Sequence, residues 1–177
     1  MNVETISAWA QLLASVGVIG SLFYLAAQVR QNTRSSRAVV VDSLARSMHD
    51  LAFAMAQNDE LLKIVTTTLH DWDAATEIER ARAASFLLGY FKLFENAWFQ
   101  MRKGTLERDQ WQGYDGFLRT VLFQPAVKPW WKMRRTFFAP GFREYVDRCE
   151  PLNDVPTLTD MIHGSGIPGR EGSRAGE

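Results

Sequence analysis

Between Ala8 and Val29 the chain carries no charged side chain, a run of about 22 residues broken only by Gln11, Ser15, Ser21, Gln28 and two glycines. As a helix this run is roughly 33 Å long at 1.5 Å per residue, close to the ~30 Å hydrocarbon thickness of a bilayer. Trp9 and Tyr24 stand towards its two ends, where amphipathic rings favour the lipid–water interface. A segment of this kind has to find apolar surroundings, either in lipid or within protein. That choice bounds everything the chain can fold into.

Charge is distributed unevenly around the run. All twenty Lys and Arg residues follow residue 29, whereas the first 29 residues hold one acid, Glu4, and no base. The positive-inside rule places the basic side in the cytoplasm and the short N-terminal end outside. A secretory signal peptide opens with positive charge and ends in a small-x-small cleavage site. "MNVETIS" and "FYLAAQ" supply neither, so the expectation is an uncleaved single-pass anchor. A helix docked on the rest of a soluble, ligand-binding or oligomeric helical protein is the alternative.

Two finer patterns attend the anchor. Arg30, Arg34 and Arg37 repeat at four and three and share one face of a continuing helix. From there they reach anionic lipid headgroups, at about 1 kcal/mol each near the surface. Ala10, Ala14, Gly17 and Ser21 repeat at four, three and four. Such a small-residue stripe lets two helices approach closely and suits self-association in the membrane.

The remainder reads as helices, so the expected class is all-α: one N-terminal transmembrane helix, a small helical bundle and a disordered C-terminal tail. Val40, Leu44, Met48, Leu51 and Met55 keep helical spacing, and the helix has no Gly or Pro to stop it on leaving the membrane. Asn58 suits the cap of "DELLKIVTTTLH". Thr76 and Glu79 form a capping box for a long helix that Gly104 closes. Its broad face of Ala83, Leu87, Tyr90, Phe91, Phe94, Trp98 and Met101 reads as core. A further helix is expected from Thr105 to near Gln124-Pro125, because a proline disfavours helix in the residue before it. Two short helices follow, broken at Ala139-Pro140-Gly141. Residues 151–177 hold five of the twelve glycines and three of the six prolines and read as a largely disordered tail, with "VPTLTDMI" as one docking turn. The expected domains are thus 1–30, the anchor; 31–150, a cytoplasmic helical domain; and 151–177, the tail.

Few chemistries find their residues here. The formal net charge is zero, so no global basic field points to nucleic acid. Cys149 is the only cysteine, which excludes an internal disulfide or a cysteine zinc site. There is no phosphate-cradling glycine loop and no GxSxG elbow. His49-Asp50 and His70-Asp71 give two His-Asp dipeptides, the pattern of metal-dependent HD phosphohydrolases, which would need His49, His70, Asp71 and Asp109 or Asp115 to converge on metal. The local alternative makes Asp71 or Asp73 a cap and leaves His70 to complement the helix dipole. Glu95, on the edge of the aromatic face, needs a partner if buried; Lys92, Arg102 or an arginine of "KMRRTF" is in reach. It is read as a structural polar hub. In "PWWKMRRTFF" the aromatics are expected to pack inward with the basic heads in water. No catalytic, cofactor-binding or metal-ligating set is assigned.

The stretches "SLFYLAAQVRQNTRSSRA", "FENAWFQMRKGTLERDQW" and "RRTFFAPGFREYVD" resemble those of a diffuse set of small bacterial proteins with one N-terminal membrane helix and a helical cytoplasmic region. The resemblance implies a bacterial inner-membrane location and brings no activity and no site residues with it. The expected role is that of a membrane-anchored interaction or scaffolding protein. Its expected partners are membrane lipid, a second copy of itself through the anchor, or another membrane protein.

Overall fold

A computed structural model describes residues 3–152; within the opening helix, side chains are described at Trp9, at Gln11 and from Ser15 onward, except at Arg34. The tail expected over 151–177 lies outside the described residues from 153 on. The described part is helical throughout, with no strand. Its elements are α1 (Val3–Ala56), α2 (Asp59–His70), α3 (Glu77–Arg102), α4 (Arg108–Leu122), α5 (Val127–Arg134), a 3-10 turn (Arg135–Phe137) and α6 (Pro140–Asp147). The all-α expectation is met.

The chain divides into two compact units within α1, residues 1–42 and 43–177. The first unit is α1 alone, so no second element of that unit covers its apolar side chains. Val16, Ile19, Leu22, Phe23, Leu25 and Val29 are each more than half exposed. Among the described residues no helix is both long and apolar enough to cross a membrane.

In the second unit the local signals act as capping chemistry predicts. Asn58 Oδ1 accepts from the Leu61 N–H at 2.9 Å, which starts α2. At α3 the Thr76 N–H donates to Glu79 Oε2 at 2.8 Å while the Glu79 N–H donates to Thr76 Oγ1 at 3.3 Å. These reciprocal bonds satisfy two donors that the first helical turn leaves open. Gly104 adopts φ 72° just past the end of α3, a left-handed conformation that glycine enters without a Cβ clash.

The next helix begins later than the sequence suggests. The Thr105 and Leu106 N–H groups both turn back to Gln100 O, at 2.9 and 3.1 Å, and Leu106 is buried. Those two residues therefore close α3 rather than open α4. The new helix starts at Arg108, where Gln110 Oε1 accepts from the Glu107 N–H at 3.3 Å.

α3 is the central element, packed against both α2 and α4. Leu87, Phe91, Phe94 and Ala97 are fully buried along it. Phe91 stacks on Trp130 and Trp131 at ring-centroid distances of 5.5 and 5.0 Å and meets Phe138 edge-on at 6.1 Å. Trp130, Trp131 and Phe138 thus point inward as expected, while Phe137 stays exposed. α6 comes so close to this core that a Cβ on Gly141 would lie 2.8 Å from Trp98 Cη2, so the position admits only glycine without moving the indole.

Candidate functional site

Three side-chain arrangements in the second unit could carry function. The first is an apolar cavity of about 580 Å³, within the size range of small-molecule pockets. Met48, Leu51 and Met55 of α1 face Leu62 of α2, Phe86 of α3 and Phe117 of α4 across it. Helical periodicity places these α1 residues on one stripe, and the same stripe supplies the fully buried Leu44. The two hydroxyls in the wall are already engaged. Tyr90 Oη donates to Phe117 O at 2.7 Å, and Thr66 Oγ1 donates to Leu62 O at 2.8 Å. Burial holds the Tyr90 phenol well above its ordinary pKa, so it stays a neutral donor. The cavity therefore offers contact area and no free side-chain hydrogen-bond donor.

The second arrangement is the Glu95 hub, which sits on the buried face of α3. Glu95 Oε2 accepts from Lys92 Nζ at 2.7 Å, and Glu95 Oε1 accepts from the Ala139 N–H at 2.6 Å. Lys92 also donates to Phe137 O at 2.8 Å and lies 4.7 Å above the Phe138 ring. One carboxylate and one ammonium thus fasten residues 137–139, the entry to α6, onto α3. Of the partners in reach by sequence, Lys92 is the one used. Arg102 lies over Trp98, Arg134 lies over Phe137, and Arg135 pairs with Asp147. The Ala139 amide, 44 residues away in sequence, had no sequence signal. The hub is structural: both carboxylate oxygens are occupied by the protein itself.

The third is a network at the α4–α6 contact. Asp115 accepts from Tyr145 Oη and pairs with Arg119 at 2.8 Å. Cys149 Sγ lies 3.4 Å from Tyr145 O. Burial, with Asp115 adding to it and Arg119 opposing it, pushes the Cys149 thiol from 9.0 up to about 11. A neutral thiol is a poor nucleophile. Native protein at pH 8 is expected to react with iodoacetamide roughly a hundredfold more slowly than an unshifted thiol would, with ordinary reactivity restored in urea; mass-spectrometric time courses measure both. The same shift stabilises the fold fully below pH 9, and that contribution is lost as the pH rises through about 11.

The His-Asp residues do not form a site. His49 is exposed and stacks on Phe53 at 5.5 Å, and His70 ends α2. Asp71 Oδ1 accepts from the Asp73 and Ala74 N–H groups, each at 3.1 Å, the capping role open to it from sequence. Asp115 is held by Arg119 and Tyr145. Among the described residues no three His, Cys, Asp or Glu side chains come together in a way that could hold a metal ion. In the first unit, Arg30 and Arg37 are exposed, as are Gly17 and Ser21, and Ser21 Oγ donates to Val18 O at 2.7 Å. The side chains of Ala10, Ala14 and Arg34 lie outside the described residues.

No family model, curated protein sequence or solved structure matches the chain. The apolar cavity was missed by sequence reasoning. Its lining is drawn from four helices, and each contributor reads locally as ordinary core.

Proposed function

We propose that this protein is a single-pass, membrane-anchored helical interaction protein of the bacterial inner membrane. In this reading the run Ala8–Val29 sits in lipid with its N-terminal end outside, and the second unit serves as a non-catalytic binding module in the cytoplasm. The observation that carries the reading is the row of exposed apolar side chains on α1, among them Val16, Ile19, Leu22, Phe23, Leu25 and Val29. Burying each is worth about 1.5–3 kcal/mol. Together they come to on the order of 10 kcal/mol, as much as the whole stability of an ordinary domain. A helix with that much oily surface requires cover, and its length and lack of charge suit a bilayer.

Arg30, Arg34 and Arg37 then fall at the cytoplasmic headgroups, where anionic lipid attracts them. The stripe Ala10, Ala14, Gly17 and Ser21 becomes the surface for a second copy or another membrane helix. Cells producing the full chain are expected to keep it in the membrane pellet through alkaline carbonate washing and to release it only with detergent. Recovery in the carbonate supernatant would overturn the anchor.

A further inference from the structure

The cavity between α1, α2, α3 and α4 has a chemistry that selects its occupant. With the Tyr90 and Thr66 hydroxyls bonded to backbone carbonyls, a sugar, a nucleotide or an extended peptide would leave its own polar groups stranded inside. A partner helix carries its backbone bonds with it, but it does not fit. The α1 side of the wall runs from Met48 to Ala56, roughly 12 Å along a helix. That length seats only about two turns of a partner helix, fewer residues than a helix needs to hold its shape by itself. Leu62 and Phe117 remain more than a third exposed, so the cavity is open rather than sealed. Met48 and Met55 supply unbranched, polarizable walls that adapt to a flexible occupant.

We propose that this cavity binds one hydrocarbon chain of a lipid amphiphile, such as a fatty acid. The chain lies among the four helices and the headgroup stays outside, because no charged side chain lines the wall. Recognition is therefore of the chain: the acid and the corresponding alcohol bind alike. The chain comes either from a free fatty acid or from a phospholipid of the surrounding bilayer.

The full chain in phosphatidylcholine nanodiscs is labelled with palmitic acid carrying a diazirine near its methyl end. A second sample uses phosphatidylcholine with the same diazirine in one acyl chain. The expected result is label in residues 48–56, 62–69, 86–90 or 117–121, with the more efficient probe identifying the source. Excess palmitic acid or palmityl alcohol should displace it equally. Ala52→Trp, which fills the cavity from an exposed position of α1, should reduce that label at least tenfold with helical circular dichroism unchanged. Leu62→Glu, which puts a charge into the wall, should do the same and carries the test if Ala52→Trp unfolds. Label confined to residues 8–29 overturns the proposal. So does label indifferent to both variants, or cavity segments crosslinked to a second copy instead. Should carbonate washing release the protein, the palmitic acid arm runs in buffer, so the cavity and the anchor fail separately.

Discussion

Replacing Phe91 by alanine is expected to destabilise the second unit by about 3–5 kcal/mol, the range for removing a fully enclosed ring. Phe91 is completely buried and touches Trp130, Trp131 and Phe138 with its faces and edge. These three rings come from α5 and the approach to α6, while Phe91 belongs to α3. The deleted ring is thus the joint between the long helix α3 and the short C-terminal helices. Neighbouring indoles are too rigid to collapse into the gap, so the cavity term adds to the lost transfer energy. Phe91→Leu keeps much of the volume and should cost about 1–2 kcal/mol. Urea unfolding followed by tryptophan fluorescence reads both values, since Trp98, Trp111, Trp130 and Trp131 are all buried. A loss below 1 kcal/mol for the alanine variant would mean that the ring does not join these helices.

The second large effect is expected at Glu95. Glu95→Ala strands the Ala139 N–H and removes the partner of Lys92, for an expected loss of about 2–3 kcal/mol. The amide dominates this figure, because the Lys92 side chain is 47% exposed while that of Glu95 is 10% exposed. A half-exposed ammonium can turn to water. Lys92→Met should therefore cost only about 0.5–1 kcal/mol, and Glu95→Gln, which keeps an acceptor for Ala139, should cost about 1 kcal/mol. A double-mutant cycle over Lys92 and Glu95 measures the pair alone. If Lys92→Met proved as damaging as Glu95→Ala, the ion pair rather than the backbone bond would hold the entry to α6. Hydrogen exchange at the Ala139 and Arg143 amides should accelerate in Glu95→Ala and stay slow in Glu95→Gln.

Much of the helical order was legible because its signals act over three or four residues. Asn58, the Thr76–Glu79 box and Gly104 each do their work through backbone groups within one turn. The start of α4 was misjudged because Thr105 resembles a cap while its N–H is claimed by Gln100 O, a choice local composition does not reveal. The Glu95 hub was half legible. A carboxylate among aromatics implies a buried partner, and Lys92 is one turn away, but the Ala139 amide arrives from a distant segment. The His-Asp dipeptides show the converse: adjacency in sequence brought no convergence, because Asp71 spends its oxygen on the turn that follows it.

The sequence by itself determined the helical class, most helix boundaries and the uncharged opening run, since each follows from periodicity, capping or composition along a single stretch. Only the tertiary structure decided which aromatic rings meet, which amide completes the Glu95 hub, and that Met48, Leu62, Phe86 and Phe117 enclose a cavity rather than close on one another. The physical reason is that a hydrophobic stripe specifies that a helix buries a face. How completely four such faces fill the space between them depends on side-chain shapes meeting across the bundle.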